Sequence, residues 1–273
     1  MAASEECELG PVVEHAAWAD HAPDPPGKPN TMVGQEHRSS SSLESFYDQY
    51  HDGQAAPPLI RWSFIPKRDR YYARCLDLLA PVPGRKLLDV ACGGGQLLSL
   101  AQARGLDCWG VDISTAAVEQ SRRGAKRSHV ERLDVENGLP YPDAFFDYAA
   151  CLGSLEHFRD QTLVLSEISR VCRQSSKICL YVPNDQYLLH RLGYETDYQP
   201  VVKRHSAAGW RCIIEGSGIR VTATAKANLH LLNLRESSSR RKLIAKIATY
   251  PFVLLLPLSL SHSLWFVCEP IKA

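Results

Sequence analysis

The sequence predicts an α/β fold: a doubly wound, mostly parallel sheet of seven strands with helices on both faces. Three observations carry this. From residue 86 to residue 227, apolar runs of strand length alternate with amphipathic, helix-like runs, the order that βαβ crossovers produce. A glycine cluster, Gly93 to Gly95, directly follows the first strand-like run, as a ligand-binding turn does. Serines, glycines and prolines punctuate the runs where helices start and stop.

Residues 1–42 are rich in Pro, Ser, Ala, His and acids and end in "RSSSS". No apolar period runs through them, so they read as a disordered tail, and 43–273 read as one folded domain. Ser41 or Ser42 caps a short helix through "LESFYDQYHDG". "KRDRYYARCLDLLA" reads as a second helix with Tyr71, Cys75, Leu78 and Leu79 on one face, stopped by "PVPG". Residues 43–84 thus form a helical cap ahead of the sheet.

The sheet follows in order. "KLLDVAC" (86–92) is the first strand, and "QLLSLAQARG" is a helix closed by Gly105. "LDCWGVDI" (106–113) is the second strand, and Ser114 caps the helix "TAAVEQSRRGAK". "VERLDV" (130–135) is the third strand, followed by the proline-containing loop "GLPYPDA". "FFDYAACLG" (145–153) is the fourth, leading into the helix "QTLVLSEISRVCR" with Leu163, Leu165, Ile168 and Val171 inward. "SKICLYVPN" (176–184) is the fifth, "AAGWRCIIEGSG" a helix, "IRVTATAKA" (219–227) the sixth strand and "HSLWFVCEPI" (262–271) the seventh. Residues 228–261 read as an insertion on the substrate side.

Composition narrows the class. Apolar residues make up 45% and charged residues 22%, the balance of a globular protein. A net charge of +1 gives no field to attract nucleic acid, and the basic run Arg240, Arg241, Lys242, Lys246 reads as a solvated helix face. Nine scattered cysteines without a CxxC pair exclude a zinc site and read as reduced core thiols of a cytoplasmic protein. No basic stretch followed by an apolar run opens the chain, so no signal peptide is expected. Tyr250 to Cys268 is free of formal charge over 19 residues. Two prolines and several polar residues interrupt it, so it reads as a peripheral membrane or lipid contact rather than a span.

Glycine turns of this type serve dinucleotides, nucleoside triphosphates and S-adenosylmethionine. No Gly-Lys-Ser/Thr follows, which excludes a P-loop. The dinucleotide pattern needs a third small residue where Leu98 stands, and Asp89 ahead of the turn suits a ligand with positive charge. Asp112 ends the second strand, where a carboxylate can accept both ribose hydroxyls, a feature of both nucleoside cofactors. Asp134 at the tip of the third strand can face an adenine amino group, with Val135 against the ring. No metal site is expected.

These segments resemble the class I S-adenosylmethionine-dependent methyltransferases, in particular the small-molecule group with the pattern "LDxGCGxG". "LLDVACGGG" matches at Asp89, Cys92, Gly93 and Gly95, with Ala91 in place of the usual first glycine. "GVDIS", "LPYPDAFFDYAACLGSLEHF" and "LSEISRVCRQSSKICLYVPN" match later segments in order, so the resemblance covers about residues 70–227. It implies a Rossmann-like sheet with the last strand antiparallel and S-adenosyl-L-methionine as cofactor. It also implies a cofactor site of Asp89, Ala91, Cys92, Gly93, Gly95, Asp112, Ile113, Asp134, Val135, Leu152 and Gly153. The reaction implied is in-line methyl transfer to an O, N or C atom, with His157 as the candidate base and Glu156 beside it. The alternatives are a non-catalytic nucleoside-binding module and an NAD-dependent oxidoreductase. No Asp/Asn-Pro-Pro-Tyr/Phe segment points to nucleic-acid bases. Phe46, Tyr47, Tyr50, Trp62 and Tyr71, the segment 185–204 and the insertion carry aromatic and aliphatic side chains, which suits a small apolar or membrane-presented metabolite.

Overall fold

The computed structural model describes residues 40–51, 68–187, 201–227 and 257–271. Two helices, α1 (Ser40–His51) and α2 (Arg68–Leu79), precede the sheet. Then come β1 (Lys86–Val90), α3 (Gln96–Ala103), β2 (Asp107–Asp112), α4 (Thr115–Gly124) and β3 (His129–Arg132). They are followed by β4 (Phe146–Leu152), α5 (Gln161–Val171), β5 (Cys172–Pro183), α6 (Ala207–Gly216), β6 (Ile219–Lys226) and β7 (Ser263–Pro270).

The strands lie in the order β3-β2-β1-β4-β5-β7-β6. β7 is antiparallel to both of its neighbours and the other six run the same way. The chain order reverses between β1 and β4, which makes the crevice outside their carboxyl ends the ligand position. Side chains alternate across the strands, so the sheet feeds two cores, one on each face. Leu88, Val90, Cys151, Leu180 and Phe266 pack with Trp210 and Ile214 of α6 and Leu165 and Ile168 of α5. Leu87, Ala150, Cys179 and Trp265 pack with Cys75, Leu76 and Leu79 of α2 and Leu97 and Leu98 of α3.

Local chemistry explains the boundaries. Ser114 accepts a hydrogen bond from the Ala117 amide at 3.1 Å and starts α4 as expected. Asp160 does the same for α5 through the Leu163 amide at 2.9 Å. Gly105 takes φ 80° just after α3. Seven cysteines are buried free thiols: Cys75, Cys92, Cys108, Cys151, Cys172, Cys179 and Cys268.

Three expectations need correction. The inward face of α5 is Val164, Leu165, Ile168 and Val171, while Leu163 is 41% exposed. β5 begins at Cys172, four residues early, directly from the end of α5. The uncharged run 250–268 is not uniformly a lipid-facing segment. From Ser263 on it is β7, inserted between β5 and β6, with Leu264, Trp265, Phe266 and Cys268 buried. Residues 250–256 of that run, most of the insertion, Trp62 and the tail 1–39 lie outside the described residues. Among the described residues no helix is long and apolar enough to cross a membrane.

Candidate active site

β1 delivers the chain into the turn Ala91 to Gly95. Ala91, Gly93 and Gly95 have φ of 56°, 51° and 76°. Alanine tolerates the left-handed region at some cost, so the departure at position 91 leaves the turn intact. Gly95 is different: a Cβ there would stand 2.2 Å from Ser121 Oγ and 2.9 Å from Ser121 Cα on α4. Leu98 occupies the position where a dinucleotide motif has its third glycine, and it is fully buried. Close helix–strand approach comes instead from Gly110 of β2, where a Cβ would meet Leu98 Cδ1 at 2.6 Å and Cys92 Sγ at 2.9 Å. The steric role of the missing glycine has moved to the opposite element. Cys92 is a core residue whose amide bonds the Val111 carbonyl at 3.0 Å.

Asp89 and Asp112 sit on neighbouring strands and are 3% and 6% exposed. Burial, and then the Asp112 charge, hold the Asp89 carboxyl well above the usual carboxylate range. Burial also raises Asp112, against the pull of the Ser114 and Gly93 amides. Those amides donate to Asp112 at 3.0 and 2.8 Å, one to each carboxylate oxygen. The result is a pair of buried carboxyls beside a half-buried glycine turn. Ile113, after Asp112, is half-buried.

Asp134 lies just beyond β3 and caps a 3₁₀ turn, Val135–Asn137, by accepting from the Glu136 amide at 3.1 Å. Val135 is buried in the core with 4% exposed. Sequence reasoning missed Arg159. Its guanidinium donates to Glu136 at 2.8 Å and lies 3.6 Å from Asp134, and the bond to Glu136 raises its pKa further. An arginine beyond an "LEH" segment gives no local signal that it will return to the β3 loop.

β4 ends at Leu152 and Gly153 follows it, both half-buried, with Gly153 at φ 69°. A 3₁₀ turn, Leu155–His157, follows. The His157 side chain is 8% exposed, and Nδ1 lies 2.7 Å from the Val201 carbonyl. Nε2 lies 3.7 Å from Glu156 Oε1, whose side chain is also 8% exposed. The Lys203 amide donates to the Glu156 carbonyl at 2.7 Å, and Gln161 donates to the Leu155 and Lys203 carbonyls. The segment 201–205 is therefore strapped along the turn.

The helical cap also reaches the site. Asp48 accepts from Ser114 Oγ at 2.7 Å and from the Ala116 amide at 3.1 Å. Glu44 pairs with Arg132. A Cβ on Gly93 would meet His51 Cε1 at 3.4 Å, so α1 lies over the glycine turn. The Asp48–Ser114 contact spans 66 residues and leaves no trace in the sequence pattern. Among the described residues no group of three His, Cys, Asp or Glu could hold a metal ion.

Comparison with known proteins fits this geometry. Residues 88–180 match the family model of a methyltransferase domain. Over 137 residues the chain is 33% identical to the ubiquinone biosynthesis O-methyltransferase of Alkalilimnicola ehrlichii, covering 48% of this chain and 54% of that protein. The chain spans about half the length of the curated relatives it matches. Among solved structures, the [4+2]-cyclase SpnF superimposes with a TM-score of 0.61 at 18% identity, covering 88% of this chain and 100% of that chain. A geranyl diphosphate methyltransferase in complex with SAM gives 0.56 at 17%, covering 74% and 85%. At these identities the likeness is one of fold.

Proposed function

From a chain that carries a methyltransferase domain of the class I S-adenosylmethionine-dependent kind, we propose that this protein moves a methyl group from S-adenosyl-L-methionine to a hydroxyl of a small metabolite. The observation that carries the reading is the pairing of buried Asp89 and Asp112 with the turn in which Gly93 and Gly95 take left-handed φ. A desolvated carboxylate pair is relieved by a cation and by hydroxyl donors, and the cofactor offers both. A pyrophosphate would meet that pair as a repulsive wall, which argues against the NAD reading.

The cofactor supplies an activated sulfonium methyl and a neutral thioether leaving group. Asp89 would face its positive end and Asp112 would hold the ribose, sharing oxygens now bonded to Gly93 and Ser114. Ala91, Cys92, Gly93 and Gly95 would offer backbone along one side, and Ile113 would flank the ribose. Asp134, held beside Arg159, would take the adenine amino group, with Val135 toward the ring. Leu152 and Gly153 would border the transferring methyl.

Glu156 takes the acceptor's proton, with His157 behind it as a positioning residue. A hydroxyl acceptor is favoured by the oxygen-methylating relative from Alkalilimnicola. The reaction needs alignment and exclusion of water above all, worth roughly 7–11 kcal/mol of barrier. Methyl transfer from labelled S-adenosylmethionine to a metabolite extract tests the proposal. Labelled product that disappears in Asp112→Ala supports it, and a chain that binds the cofactor but labels nothing points to the non-catalytic binding module.

A further inference from the structure

Gln161 opens α5, yet its side chain does not face solvent: the residue is 6% exposed. A glutamine amide has two N–H donors and a carbonyl acceptor, and all of them are used here. Nε2 donates to the Leu155 carbonyl at 3.1 Å and to the Lys203 carbonyl at 3.0 Å. Oε1 lies 2.8 Å from His205 Nε2. Two carbonyls around Nε2 fix the amide orientation, so Oε1 accepts and His205 carries its proton on Nε2. Burial lowers the His205 pKa, which leaves the ring neutral at pH 7. That ring stands 4.8 Å from Trp210 in an edge contact. The His205 backbone bridges Asn184, just past β5, and its carbonyl accepts the Asp185 amide at 3.1 Å.

We propose that Gln161 and His205 are positioning residues for methyl transfer, which hold Glu156 in its working place through the Leu155 carbonyl and the 201–205 strap. This rests on the reading above of Glu156 as the base. Leu155 opens the 3₁₀ turn that carries Glu156. Lys203 gives its amide to the Glu156 carbonyl and its ammonium to the Arg159 carbonyl, each at 2.7 Å. Gln161 thus grips the residue before Glu156 and also the residue that grips Glu156 itself. His205 in turn ties Gln161 to the end of β5. A leucine at 161 would fill the same space but take one donor from each of the two carbonyls. The turn would then be free to shift, and a misplacement of about 1 Å near reacting groups costs roughly 10²-fold in rate.

The test is a double-mutant cycle in the full chain at pH 7, with saturating labelled S-adenosylmethionine and a metabolite extract as acceptor. Gln161→Leu is expected to slow labelling roughly 10²-fold, with S-adenosylhomocysteine affinity retained. In a Glu156→Gln background the same change should cost no more than about threefold, because the group it positions is already gone. A residue that only supports the fold would cost the same factor in both backgrounds. His205→Gln places an amide N–H where Nε2 stood and should label within about threefold of wild type, whereas His205→Phe should lose roughly tenfold. If Gln161→Leu does not fold, the two His205 variants are carried through the same cycle. Wild-type labelling in Gln161→Leu, equal losses in both backgrounds, or equal rates in His205→Gln and His205→Phe would overturn the proposal. A wild-type chain that labels nothing, or a Glu156→Gln chain that labels normally, would instead remove the transferase or base reading, and the proposal with it.

Discussion

Asp112 Oδ2 accepts the Gly93 amide at 2.8 Å, joining the tip of β2 to the glycine turn that leaves β1. The carboxylate expected to hold the ribose thus also fixes the turn that faces the cofactor. Asp112→Ala is expected to weaken S-adenosylhomocysteine binding by about 10- to 100-fold, the range for hydrogen bonds to a charged group. It should also lower the melting temperature, because Gly93 and Ser114 lose their acceptor. Calorimetric titration and thermal melts read the two effects separately.

Asp89 sets stability against binding. Its folded pKa is raised, so above the ordinary carboxylate range near 4 the unfolded chain ionises first. Stability then falls as pH rises until the folded carboxyl ionises as well. Asp89→Asn is therefore expected to raise the cofactor-free melting temperature at pH 7, by about 2–4 °C for each kcal/mol recovered. The gain should vanish at pH 4 and below. Cofactor affinity should fall in the same variant. If the cofactor-free Asp89→Asn variant melts below wild type at pH 7, this reading of the buried carboxyl is refuted.

Gly95→Ala places a methyl group against Ser121 at a backbone φ of 76°. Steric overlap and left-handed strain together should cost on the order of 1–3 kcal/mol. Adding Ser121→Ala should not restore stability, because the Ser121 Cα is itself 2.9 Å away. Chemical denaturation of the single and double variants measures this.

Asp48 ties α1 to the start of α4 through Ser114 and Ala116. Its removal in Asp48→Ala should cost about 0.5–2 kcal/mol, as for a helix cap. S-adenosylhomocysteine should then dissociate faster, since α1 lies over the glycine turn. An unchanged dissociation rate in stopped-flow displacement would show that α1 does not cover the bound cofactor.

Glu156→Gln keeps the shape of the turn and removes the charge. Turnover should fall by roughly 10²- to 10⁴-fold, as for a lost general base, with cofactor affinity nearly unchanged. His157→Ala should loosen the 201–205 strap as well, and so lower the melting temperature more than Glu156→Gln does.

The sheet was legible because its signals are local. Strand-length apolar runs, the Ser114 cap and the glycine turn each lie within a few consecutive residues. The start of β5 was hidden because "CRQSS" is polar and reads as a loop, although Cys172 pairs with Phe146 of β4. The face of α5 was misphased because Leu163 and Val164 are adjacent and equally apolar. β7 is apolar because both of its faces are covered, a pattern that resembles lipid contact in one dimension. Asp48, His51 and Arg159 make long-range contacts, and only the fold brings them beside the glycine turn and the β3 loop.

Calorimetric titration of the full chain with S-adenosylmethionine decides whether the Asp89–Asp112 pocket is a cofactor site. One site of micromolar affinity is expected in the wild-type chain, weakened about 10- to 100-fold in Asp112→Ala. No binding heat at several hundred micromolar, or equal binding by both proteins, would contradict it.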